Sequence, residues 1–261
     1  MAKRGYLYDG SKCIACRGCQ VACKQWNQLP AEKTVFFAEG GGYQNPPDLT
    51  MLTWNLIEFR EKEEKGKVHW LFRRRACNHC TDAACIKACP VEPVKAMTRH
   101  PQYGTVYVNQ DLCIGCGACA EACPFSIPYV DENLEKSFKC WSCIDRQDNG
   151  KIVACANTCP TGALQFGDRA KLLKKAHARL QALKARGIKA FIYGEKELDG
   201  LGKIFVLPGE LKDYNLPKNP VATTIINEVE RLIQPYKEKG KLTSKVVKLA
   251  WKQVKKKHHI S

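Results

Sequence analysis

The chain has 261 residues, 44% of them apolar, enough for one or two compact domains with real cores. Its formal charge is +16, and it carries sixteen cysteines. A disulfide framework of the kind that staples small secreted modules is excluded by the chain's length and by the grouping of those cysteines into four clumps of four.

In chain order, Met1–Gly5 is polar and no apolar stretch precedes Cys13, so no signal peptide is expected. Gly5-Tyr6-Leu7-Tyr8-Asp9 reads as a strand that enters the first clump, Cys13-x2-Cys16-x2-Cys19-x3-Cys23. Residues 24–76 form an insertion. Gln44–Asp48 is a loop, and Leu52/Trp54/Leu56 and Val68/Trp70/Phe72 alternate as two strands of a β-hairpin separated by the charged stretch Arg60–Lys67. The second clump is Cys77-x2-Cys80-x4-Cys85-x3-Cys89-Pro90. Val94–Met97 and Tyr103–Val108 make a hairpin-like linker to the third, Cys113-x2-Cys116-x2-Cys119-x3-Cys123-Pro124. The fourth is Cys140-x2-Cys143-x11-Cys155-x3-Cys159-Pro160, followed by a leaving strand over Thr161–Gly167.

Beyond the clumps, Asp168 caps a helix with Leu172, Leu173, Ala176, Leu180 and Leu183 on one face, ended by Gly187. Two short strands follow near Ala190–Tyr193 and Lys203–Leu207, then a second helix from about Val221 to Gln234. The tail is amphipathic. Val246, Val247, Ala250, Trp251 and Val254 form a stripe, and Lys245, Lys248, Lys252 and Lys255 lie largely outside it. Such a helix fits an anionic membrane surface, a partner subunit, or a solvated basic end. No run of about 18 apolar residues occurs, so no membrane span is expected.

The first and third clumps have the bacterial ferredoxin spacing, in which three close thiolates wrap one cubane and the fourth cysteine, on the short helix that follows, ligates the neighbouring cluster. Zinc takes four ligands and has no need of triads followed by Cys-Pro. The expected cofactors are therefore four [4Fe–4S] clusters. Each oxidised cluster with its thiolates carries roughly −2, so four remove roughly 8 charges. The tail Lys237–Ser261 holds nine lysines and one glutamate, so the excess lies there and the body is near neutral, which argues against nucleic acid.

Because motifs work in pairs, the linker joins the second to the third, and the entering and leaving strands join the first to the fourth. The expected ligand sets are Cys13, Cys16, Cys19 and Cys159; Cys140, Cys143, Cys155 and Cys23; Cys77, Cys80, Cys85 and Cys123; and Cys113, Cys116, Cys119 and Cys89. His79, between two cysteines, is expected to hydrogen-bond near a cluster or face solvent rather than ligate. Arg17, Lys24 and Trp141 sit near ligands, where they either tune them or serve structure. The fold expected is α+β: two interleaved bacterial-ferredoxin-like modules with an inserted β-hairpin and C-terminal helices. The outer module is 1–23 with 124–168, the insertion 24–76, the inner module 77–123, the C-terminal helices and strands 169–234, and the basic tail 235–261. No catalytic residues stand out: there is no nucleophile, carboxylate pair or phosphate-binding glycine loop.

The four motifs in this order, with the second and fourth extended, resemble the electron-transfer (beta) subunits of molybdenum- and tungsten-pterin oxidoreductases. Cys19–Asn27, Gln44–Leu49 and Gly202–Pro220 resemble the beta subunit of formate dehydrogenase in particular. The crossed pairing agrees with that family's arrangement. Nitrate reductase-type subunits lose one cysteine and carry a [3Fe–4S] cluster, whereas all sixteen are present here. The resemblance implies a non-catalytic subunit of an oxidoreductase complex, membrane-associated through that complex. It would carry electrons from a pterin-metal catalytic subunit to a quinone-linked or other acceptor subunit. The same role in a polysulfide, thiosulfate or dimethyl sulfoxide reductase is the alternative from within the family; a zinc-binding interaction protein and a free-standing polyferredoxin are the alternatives outside it. Membrane-bound formate dehydrogenase beta subunits often end in a transmembrane helix, and the lysine-rich tail here departs from that pattern.

Overall fold

The computed structural model describes residues 3–35, 44–220 and 225–258. Its elements, in order, are β1 (Arg4–Asp9), α1 (Gly18–Trp26), β2 (Asn55–Glu64), β3 (Lys67–Ala76), α2 (Ala84–Lys87), β4 (Met97–Arg99), β5 (Val106–Val108), α3 (Ala118–Glu121), β6 (Tyr129–Asp131), β7 (Lys136–Phe138), α4 (Ile144–Asp148), α5 (Ala154–Asn157), β8 (Leu164–Asp168), α6 (Arg169–Ala185), β9 (Ala190–Tyr193), β10 (Lys203–Pro208), α7 (Ile226–Glu238) and α8 (Ser244–Lys257). The fold is α+β.

One four-stranded sheet, in the order β8-β1-β10-β9, gathers distant parts of the chain. β1 and β8 run antiparallel with Tyr6 opposite Phe166, so the strand entering the first motif pairs with the strand leaving the fourth. β10 joins the other side of β1 in parallel, Tyr6 opposite Lys203, and pairs antiparallel with β9. Strand alternation divides the two faces. Leu7, Ile204 and Val206 pack on Leu172, Ala176 and Leu183 of α6. Tyr6, Tyr8, Phe205 and Leu207 face the other way, into a core that includes Cys19, Cys143 and Cys155. As expected from Asp168, its carboxylate accepts the Lys171 N–H at 2.8 Å and caps α6. β4 and β5 form the small antiparallel linker between the second and third motifs. α1 packs on α5, and α2 on α3.

Four local expectations are corrected. The charged stretch Arg60–Lys67 does not separate the hairpin strands: β2 runs on through Glu64, and the turn is only Lys65-Gly66, both at positive φ. At the outer end of this ribbon little is buried, so strand continues without apolar alternation, whereas Leu52 and Trp54 precede the strand. Cys89, Cys123 and Cys159 lie just beyond their one-turn helices rather than on them. Each is followed by proline, which disfavours helical geometry in the preceding residue. Cys23, followed by Lys24, stays inside α1. Helix α7 passes through Pro235 to Glu238, because Pro235 and Arg231, whose carbonyl loses its partner, both lie on the exposed side where solvent satisfies it. Val221 and Ala222, placed in this helix by the sequence, lie outside the described residues, as does Ser261 of the tail.

The tail forms α8, capped by Thr243, and its stripe turns inward. Val247, Ala250, Trp251 and Val254 are buried against Ile226, Val229 and Ile233 of α7 and against Ala84, Ala88, Ala118 and Ala122 beside the second and third motifs. That apolar face is therefore taken up within the chain. No helix among the described residues is long and apolar enough to cross a membrane.

Candidate iron–sulfur centres

The first Cys-x-x-Cys loop of each motif shares one backbone device. The residue before the second cysteine is left-handed in each: Ala15 (φ 53°), His79 (φ 47°), Gly115 (φ 61°) and Ser142 (φ 61°). This conformation turns the backbone N–H toward the loop. Ala15, His79 and Ser142 each donate to the first cysteine's Sγ at 3.4 Å. Gly115 is the one glycine among the four, and a Cβ there would meet the Glu135 backbone at 2.3 Å. Hydrogen bonds also reach the fourth cysteines, from Met97 N to Cys89 and Leu164 N to Cys159.

The thiols meet in groups drawn from different motifs. Cys13 is raised by burial and also feels Cys159 and Cys16. Cys23 is raised by burial and then by Cys140, Cys155 and Cys143. Cys80 and Cys85 are raised by burial and both feel Cys77 and Cys123. Cys116 and Cys119 are pushed by burial up to about 11 and about 12, and both feel Cys89 and Cys113. Those last four line one small cavity with Met97 and Ser137. The groups also adjoin in a row. Cys19 feels Cys155, Cys140 feels Cys77, and Cys85 feels Cys119.

Burial makes most of these thiols resist ionisation unless a cation replaces their protons. Cys77 is the opposite: burial pushes its thiol up, but His79 holds it well below the thiol range. Iron supplies that charge, and four soft sulfurs round a shared space fit an iron–sulfur core. No three His, Cys, Asp or Glu side chains among the described residues converge as ligands of a single ion.

Sequence reasoning missed the buried cations. Arg74 is fully buried; its Nη2 donates to Cys155 Sγ at 3.3 Å and its guanidinium lies 5.0 Å over the Tyr6 ring. Lys203 is fully buried and donates to the Ala76 carbonyl at 2.8 Å. Burial, and then the Arg74 charge, hold its ammonium well below the usual lysine range. Lys139 donates to the carbonyls of Val106 and Cys140. Burial opposes ionisation of Cys140, but His79 and Arg74 bring it down to about 6. The readable signal was period-two alternation in Arg73-Arg74-Arg75 just before Cys77. Arg73 and Arg75 pair with Glu58 on one side, which leaves Arg74 pointing at sulfur.

The residues singled out from sequence divide. His79 is buried, with Nδ1 3.1 Å from the Val106 carbonyl and its ring stacked on Tyr6. Lys24 ties the insertion together through Glu32, Pro30 and Leu52. Arg17 lies over the Phe59 ring at 4.7 Å. Trp141 leads toward sulfur through one intermediary: its Nε1 donates to Asn27 at 2.6 Å, and the Asn27 amide approaches Cys23 Sγ at 3.7 Å.

Fold and thiol groups define a ferredoxin-type iron–sulfur protein. Two models of a 4Fe-4S dicluster domain match it, over residues 12–93 and 68–169. The chain is 38% identical to the iron-sulfur subunit of the nitrate-inducible formate dehydrogenase of Escherichia coli, over 90% of this chain and 79% of that protein. It is 38% identical to the Haemophilus influenzae formate dehydrogenase iron-sulfur subunit, over 82% and 68%. It is 35% identical to the formate dehydrogenase 2 subunit beta (cytochrome c-553) of Nitratidesulfovibrio vulgaris, over 81% and 96%. The chain belongs to the family of formate dehydrogenase iron–sulfur (beta) subunits, and its cofactors are [4Fe–4S] clusters.

Proposed function

We propose that the chain is the electron wire of a formate dehydrogenase. It would hold four [4Fe–4S] clusters and pass electrons between a pterin-metal catalytic subunit, where formate is oxidised, and a quinone-linked or other acceptor subunit. It would associate with the membrane through that complex. The single observation that carries this reading is the row of thiol groups, each drawn from two motifs and each adjoining the next.

The ligand sets proposed are Cys13, Cys16, Cys19 and Cys159; Cys140, Cys143, Cys155 and Cys23; Cys77, Cys80, Cys85 and Cys123; and Cys113, Cys116, Cys119 and Cys89. In this reading the modules interleave. The outer one (1–23 with 124–168) encloses the hairpin insertion (24–76) and the inner one (77–123), with 169–234 and the tail 235–261 added behind. The pairing of β1 with β8 and of α1 with α5 supports it. When bound, the clusters supply one-electron chemistry. The chain's own part is to ligate them, exclude water and set their charge surroundings through Arg74, Lys203, Lys139 and the N–H donors to sulfur.

Cys159→Ser in the intact complex tests the crossing. Electron paramagnetic resonance should show the cluster of the first triad altered, and native protein should hold about sixteen irons per chain. Damage confined to the cluster of Cys140, Cys143 and Cys155 would refute the crossed sets.

A further inference from the structure

The last thiol group in the row lies beneath helix α8, and the helix divides its chemistry by face. Its apolar stripe is buried inward. Outward, Lys248, Lys252, Lys255 and Lys256 line a concave cleft with Trp251 and the half-buried Cys116. Lys255 pairs with Glu121 at 3.1 Å and Lys248 with Glu132 at 3.5 Å, while Lys252 and Lys256 have no ion pair among the described residues. The Trp251 indole N–H is buried and has no acceptor. The cleft thus combines uncompensated positive charge with direct access to one sulfur of a terminal group.

We propose that this cleft docks a one-electron carrier protein with an acidic surface, seating its redox centre over Cys116. The proposal rests on the electron-wire reading above. In the transfer, one electron leaves the centre held by Cys89, Cys113, Cys116 and Cys119 and reduces the carrier's oxidised iron by one; no bond breaks and no proton moves. A bilayer suits the surface less well. The apolar stripe that would enter lipid is already buried, the lysines lie in a hollow, and Glu121 and Glu132 would face the headgroups. Charges at the rim of such a dock act mainly on association and weaken with salt, since screening lengths are about 8 Å at physiological ionic strength.

The test uses the purified holo-complex and an acidic [2Fe–2S] ferredoxin as probe, with association followed at about 20 and about 200 mM salt. Lys252→Glu with Lys256→Glu should slow association about tenfold at low salt, flatten its salt dependence and leave dissociation within about twofold. Lys174→Glu with Lys184→Glu on exposed positions of α6 makes the same charge change and should behave as wild type. Equal behaviour of the two double variants, or salt-independent association of wild type, overturns the proposal. So does lysine-dependent binding of phosphatidylserine vesicles with no binding of the ferredoxin. Dithionite-reduced resonance spectra separate this from the wire itself: absent cluster signals in wild type defeat that reading, whereas intact signals with no docking defeat only the cleft.

Discussion

The outer pair of motifs, first and fourth, and the inner pair, second and third, are brought together by different supports. The first and fourth motifs lie far apart in sequence and are joined by a sheet whose cysteine-facing side carries Tyr6, Tyr8 and Lys203, with Arg74 reaching in from the hairpin. The second and third are joined by a short local hairpin and covered by two terminal helices whose contact surface is alanine, valine, isoleucine and Trp251. Buried charge therefore concentrates where the outer pair meets the inner, around Cys140, Cys155 and Cys77. The far group, around Cys116, has no fully buried cation among the described residues: half-buried Lys95 and Lys136 donate to the carbonyls of Cys89 and Cys113, and the lysines of α8 lie at the surface. A buried cation beside sulfur favours the reduced cluster and is little screened; an exposed lysine acts through solvent and serves recognition better than redox tuning.

That contrast can be broken by substitution. The largest effect expected is Trp251→Ala, which empties the interface of α8 with the inner motifs and should cost about 3–5 kcal/mol. Hydrogen exchange should speed up across 118–122 while β1 stays protected, and equal loss in both regions would remove the distinction. Next, Glu58→Gln leaves Arg73 and Arg75 facing a neutral partner in the buried base of the hairpin and should cost about 2 kcal/mol by denaturant midpoint at neutral pH. Burial works against the Glu58 carboxylate, but Arg73 and Arg75 hold it below the usual range. A depressed folded value means the contribution is present above the unfolded pKa and is lost as pH falls through the folded one. The wild-type advantage over Glu58→Gln should therefore vanish in acid, and a gap that persists there would contradict the ion pair.

Arg74→Met should lower the midpoint potential of the outer centre that includes Cys155 by some tens of millivolts, with the centre at Cys116 unmoved in the same redox titration. A shift of both, or of neither, would mean that Arg74 serves packing alone. Smallest is Lys62→Ala. Its bond to Asp213 at 3.2 Å ties the hairpin to the segment after β10, but the lysine is solvated, so thermal melting should register only a slight loss.

Cysteine spacing is a local property, and so are the loop conformations, the proline stops and the strands on either side of each motif. Short-range sterics decide them, which is why four motifs, the hairpin linker and the cap at Asp168 are legible in the sequence. The parallel pairing of β10 with β1 was not, because nothing in either strand names its neighbour. Nor was the burial of Arg74 and Lys203, since a charged residue reads as surface until tertiary packing surrounds it with sulfur. The tail shows the division most clearly. Its stripe and its lysines were plain in the sequence, and an amphipathic helix must cover its apolar face somewhere. Whether lipid, a partner or its own chain covers that face depends on which surface lies within reach, and the fold sets the alanines of α2 and α3 there.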